Sequence, residues 1–107
     1  MNFIREKNKI YVLNEDNKKI VRATFPFVEK NVINVNHTYV DPSLRGQGVA
    51  STLMDEVYNY AKEKGYTVVN SCPYAVAWFK RHPEKSDVLN KDIEVNEACA
   101  ILWDFIY

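Results

Sequence analysis

The sequence predicts an α/β domain in which a meander of short strands leads into a strand–helix–strand unit. Three patterns carry that reading. Turn formers break up the first third of the chain, Val32–Val40 alternates with period two, and an apolar stripe at helical spacing runs from Ala50 to Ala61. With 107 residues, 47% of them apolar, the chain is read as one domain, 1–107, able to bury a core.

Phe3–Arg5 and Lys9–Leu13 flank a polar turn at Lys7 and Asn8. Asn14-Glu15-Asp16-Asn17 is a run of turn formers, which predicts a hairpin into a strand with Val21, Ala23 and Phe25 on one face. Pro26 and Asn31 bracket the next connection. In Val32–Val40, Ile33, Val35, His37 and Tyr39 share one face, against Asn34, Asn36 and Thr38 on the other. That parity puts a histidine on the inward face, and a bulge in the strand would flip the parity beyond it.

Asp41-Pro42-Ser43-Leu44 stops the strand. Ala50, Leu53, Met54, Val57 and Ala61 then recur at helical spacing, with Lys62 and Lys64 suiting the helix C-terminus and Gly65 a left-handed cap. Tyr66–Val69 reads as a buried strand, so the helix is a crossover between parallel neighbours. A second helix is expected from about Tyr74 to Arg81, with Pro73 in its first turn and Pro83 ending it. From Asp92 to Tyr107, Val95, Leu102 and Phe105 fit a helical stripe. Ile101, Trp103 and Tyr107 make its apolar surface too wide for a free helix. This C-terminal tail is read as docked helix, on a partner or in a homodimer.

Fourteen basic and fourteen acidic residues cancel, which argues against a broad nucleic-acid or anionic-membrane surface. Lys80, Arg81, His82 and Lys85 form the only dense basic cluster. Arg5, Glu6 and Lys7 stand where a secretory signal needs an apolar run, and no stretch is long and apolar enough to span a membrane. Cys72 and Cys99 are too few for a disulfide framework and lack metal-ligand spacing. The expectation is a cytoplasmic protein with free thiols and no metal.

Between the alternating strand and the long helix lies Arg45-Gly46-Gln47-Gly48-Val49-Ala50-Ser51. Two glycines let the backbone turn tightly and approach a ligand closely. The helix that follows presents N–H groups without intrahelical partners and the positive end of its dipole, which together suit a phosphate. The segment is neither a dinucleotide fingerprint nor a P-loop, since no GxGxxG and no GK[ST] occurs in it. A tight connection and nothing more is the plainer reading of such glycines.

The segment resembles the acyl-CoA signature of the GNAT acetyltransferases: an Arg or Gln, two variable residues, a Gly, one further residue, and a Gly or Ala. Arg45-Gly46-Gln47-Gly48-Val49-Ala50 matches it throughout, and His37 to Glu84 is similar to short GNAT-like proteins of bacteria and plants. The resemblance implies a mixed, mainly antiparallel sheet with splayed central strands and two main helices. It also implies acetyl-CoA as cofactor, with the pyrophosphate on the backbone of Arg45, Gly46, Gln47, Gly48, Val49, Ala50 and Ser51. The pantetheine arm would lie in the splay, beside Val40, and Asn70, Cys72 and Pro73 would stand near the thioester. An amine, on a small molecule or a protein, would be the acceptor.

Larger family members usually supply a tyrosine proton donor in the helix after the second splayed strand. Here Ala75-Val76-Ala77-Trp78-Phe79 offers none, and Tyr74 falls too early. The short members instead resemble one another in a His before the loop and a Cys after the second strand, which here are His37 and Cys72. Histidine can take a proton near neutral pH, and a thiolate can accept an acetyl group. The plainer alternatives are a hydrogen-bonded core histidine and a small buried hydrophobe. For the whole chain the alternative is a non-catalytic acyl-CoA-binding or sensing module.

Overall fold

The computed structural model describes residues 2–93. The expected tail helix and any dimer contact through it therefore lie outside the described residues, apart from Asp92 and Ile93. Strands β1 (Ile4–Glu6), β2 (Lys9–Leu13) and β3 (Lys19–Thr24) form the meander. They are followed by β4 (Phe27–Glu29), β5 (Val32–Val35) and β6 (His37–Val40). Helix α1 (Val49–Lys64), strand β7 (Thr67–Asn70) and helix α2 (Pro73–Arg81) complete the crossover unit. Asn8, Asn17 and Asn31 take positive φ in the hairpin turns, a conformation asparagine tolerates well.

Two sheets result, ordered β1-β2-β3-β6 and β4-β5-β7. The first is antiparallel throughout. In the second, β5 and β7 are parallel, with Val32 opposite Thr67 and Val35 opposite Asn70. The strand expected to run from Val32 to Val40 thus divides at Asn36, and its halves belong to different sheets. Asn36 donates its N–H to the Thr24 carbonyl at 3.2 Å, while the next residue, His37, also stands opposite Thr24. Two residues facing one is a bulge, and it reverses the alternation.

The expected face is corrected accordingly. Ile33 and Val35 point into the core, but beyond the bulge Thr38 and Val40 are buried while His37 and Tyr39 turn to the opposite face.

One face of the four-stranded sheet carries Ile10, Val12, Val21, Ala23 and Val40, and α1 packs there through Leu53, Met54, Val57 and Ala61. Gly65 caps α1 at φ 72°, with its N–H on the Lys62 carbonyl. Helix α2 adds Ala75, Trp78 and Phe79 to the same core. Trp78 Nε1 donates to Ser51 Oγ at 2.9 Å, tying α2 to the first turn of α1. His82, from the basic cluster, stacks on the Trp78 ring at 4.3 Å. No described helix is long and apolar enough to cross a membrane.

Candidate acyl-donor cleft and its surroundings

The connection from β6 to α1 is organised by Asp41, whose carboxylate accepts from Ser43 N at 3.0 Å and caps the 3-10 turn Pro42–Leu44. The Ser43 hydroxyl, which donates to the same oxygen at 2.5 Å, and then the Ser43 N–H hold the Asp41 carboxyl below its ordinary pKa. Gly46 and Gly48 follow at φ 82° and 74°, the left-handed region that a side chain strains. A Cβ built on either would meet no atom within 4 Å, so the space beside both glycines is open.

Gly48 is also the N-cap of α1 and supplies no side-chain cap. The first intrahelical bond of α1 runs from Thr52 N to Gly48 O at 3.1 Å. The amides of Val49, Ala50 and Ser51 therefore have no partner within the helix, and they share the positive end of its dipole. No acidic residue lies in that first turn to offset it.

A cleft of about 160 Å³ opens at this point, lined by Val40, Arg45, Gly46, Gly48, Val49, Ala50 and Ser51, together with Leu44 and Tyr74. These residues fit an anionic ligand with a long apolar arm: open backbone amides at one end, and apolar walls from β6 and α2 beside them. Leu44 and Tyr74 were missed from sequence. Leu44 belongs to the turn before the loop, and Tyr74 reaches the cleft from another element. Gln47 turns its side chain back to the Ser43 carbonyl at 3.4 Å.

The two sheets separate where β5 ends. The Val35 carbonyl accepts from both Ser71 N (3.1 Å) and Cys72 N (3.0 Å), and there the β5–β7 pairing ends. Beyond it β6 pairs only with β3, which leaves the expected splay between β6 and the end of β7. Cys72, the N-cap of α2, is fully buried, with its Sγ 3.5 Å from Thr38 Oγ1. Pro73 opens α2 beside it.

Asn70 lies elsewhere. It lines a separate cavity of about 630 Å³ between β7, α2 and the Pro83–Val88 turn, which shares no residue with the glycine loop. Its Oδ1 is buried with no hydrogen-bond partner among the described residues.

His37 stands on the other face of β6, half-buried, and its Nε2 is buried with no hydrogen-bond partner among the described residues. Thr38, the next residue, is the one that touches Cys72. The structure therefore places His37 and Cys72 on opposite faces of one strand, either side of the splay. Burial first, and the nearby Arg22 charge second, lower the His37 pKa below its ordinary 6.5. A histidine held neutral with an unengaged ring nitrogen can accept a proton.

Comparison with known proteins agrees with this geometry. A family model described as GCN5-related N-acetyl-transferase matches residues 10–88. A GCN5-like candidate N-acetyltransferase from Staphylococcus aureus, solved by NMR, is 30% identical. That match covers 83% of this chain and 87% of that one, at a TM-score of 0.70. Tetrahymena GCN5 shares 16% identity at a TM-score of 0.57, over 82% of this chain and 62% of its own. A Mycobacterium tuberculosis protein solved in complex with CoA shares 16% identity at a TM-score of 0.56, over 71% of this chain and 47% of its own. The last two likenesses concern the fold. No curated protein matches. With more than half its length in the family model, this chain belongs to the GCN5-related N-acetyltransferases, whose acyl donor is acetyl-CoA.

Proposed function

We propose that this protein is an acetyl-CoA-dependent N-acetyltransferase acting on a primary amine. The observation that supports the reading best is the open, positive-φ glycine loop at the uncapped N-terminus of α1, found in a chain of this family. The amides from Gly46 to Ser51 would hold the pyrophosphate, and Val40 and Tyr74 would flank the arm that follows it. CoA bound to a structural neighbour supports the same ligand here. When bound, acetyl-CoA supplies a thioester carbonyl activated towards amines.

The remaining chemistry falls to the chain. An attacking amine must lose a proton, and the half-buried His37 imidazole is the base that receives it. Cys72 Sγ is enclosed beside Thr38 on the other side of β6, with no base in contact among the described residues, so it does not carry the acetyl group. Among the residues of α2, Tyr74 is the one that brings a hydroxyl to the cleft.

A non-catalytic acyl-CoA-binding module is the second reading. It is favoured by the segment Ala75–Phe79, which packs apolar side chains where larger relatives usually place a tyrosine. Release of free CoA thiol separates the two. Incubation with acetyl-CoA and a panel of amines should give amine-dependent release, roughly 10²-fold slower in His37→Ala. Binding of acetyl-CoA with no release on any amine would favour the module.

A further inference from the structure

The face of the sheet turned away from α1 carries an arginine with no carboxylate partner among the described residues. Arg22 lies on β3, exposed, directly opposite Tyr39 on β6 and diagonal to His37. Diagonal positions in an antiparallel pair stand about 7–8 Å apart, within reach of a long side chain. The Arg22 guanidinium lies over the Tyr39 ring at 5.2 Å, and no carboxylate pairs with it among the described residues.

The acids nearby are already engaged. Asp41 is held by the N–H and hydroxyl of Ser43. Glu6 accepts from the Tyr11 hydroxyl and pairs with Lys9 at 3.4 Å. Lys19 sits over the Tyr11 ring at 4.8 Å, adding a further cation to this face. Arginine beside an aromatic ring, with its planar fork free, is well suited to bind a carboxylate in two parallel hydrogen bonds.

We propose that Arg22 anchors the acceptor, and that the acceptor is a small primary amine bearing a carboxylate a few bonds from its nitrogen. This rests on the acetyltransferase reading and names its substrate class. The carboxylate sits on Arg22, over Tyr39, and the amine then lies at His37 on the same face, next to the splay. The excess of cations on that face also draws an anionic acceptor towards it. Thr24, opposite His37 and hydrogen-bonded to Asn36 Oδ1 at 2.6 Å, fixes the edge of this surface.

The test is steady-state transfer, followed by thiol release, to pairs of amines that differ only in carboxylate against carboxamide. The carboxylate member should show a KM at least tenfold lower. Arg22→Gln should raise that KM by roughly 10- to 100-fold, at least tenfold more than it raises the carboxamide's, with kcat changed far less. Arg22→Lys should recover part of the loss, since it keeps the charge without the fork. Equal KM values within each pair, or equal effects of Arg22→Gln on both members, would overturn the inference and leave the transferase reading standing. So would transfer confined to peptidyl lysine. Acetyl-CoA binding with no transfer to any amine would instead defeat the transferase reading, and this inference with it.

Discussion

The two faces of β6 are built from different materials. On the face towards the helices, the proposed donor site is made of backbone: two left-handed glycines and three amides with no partner within the helix. On the opposite face the proposed acceptor site is made of side chains gathered from two strands, His37 and Tyr39 from β6 with Arg22 from β3. A backbone device occupies contiguous sequence and depends on conformation. A side-chain constellation depends on register, and a single bulge decides which residues it contains.

The donor face should break hardest through φ. The Cβ of Gly48→Val meets no atom within 4 Å, yet at φ 74° the side chain costs about 1–3 kcal/mol of strain and fills part of the cleft. Acetyl-CoA should then give no rise in melting temperature. Gly65→Ala is the control. It has nearly the same φ, 72°, but lies at the other end of α1. It should cost about 1–2 kcal/mol of stability and keep acetyl-CoA binding. A Gly48→Val protein that binds as the wild type does would remove the loop from the account.

The opposite face should break through chemistry with binding kept. His37→Ala should lower turnover by roughly 10²-fold while acetyl-CoA still raises the melting temperature. Loss of both together would merge the two faces into one structural unit. Cys72→Ala sharpens the contrast from the donor side. It removes a buried thiol, so stability should fall by about 1 kcal/mol. Turnover should fall less than tenfold, because positioning carries most of the rate.

The smallest effects concern pH. Burial and then Arg22 keep the His37 pKa below 6.5, so the acid limb of turnover should lie below that value. Arg22→Gln removes the second cause, and the limb should move up without passing 6.5, since burial remains. For stability, a depressed pKa means the folded state binds fewer protons than the unfolded state. His37 therefore contributes a loss of stability that begins as pH falls through 6.5 and levels off below its folded value. The urea midpoint of His37→Gln should lack that component between pH 7.5 and pH 5.

Much of the donor face was legible in the sequence. The stripe of α1, its glycine cap, the parallel crossover and the glycine loop are all local patterns, and each has its physical signal in adjacent residues. The other face was not legible. Ile33, Val35, His37 and Tyr39 alternate without interruption, so nothing in the pattern marks the extra residue at Asn36 that turns His37 and Tyr39 over. Thr38, polar and read as outward, is buried because the bulge aims it at Cys72. Arg22 showed no signal at all, because its meaning comes from the register that sets it opposite Tyr39. Leu44 and Tyr74 join the cleft from elements whose approach no local pattern encodes.

The most direct test is a single turnover of acetyl-CoA with a carboxylate-bearing amine, read by the masses of both amine and intact protein. The account predicts that the amine gains about 42 Da, the mass of an acetyl group in direct transfer, while the protein never carries it. An acetyl group that appears first on Cys72 and passes to the amine at the rate of turnover would contradict it.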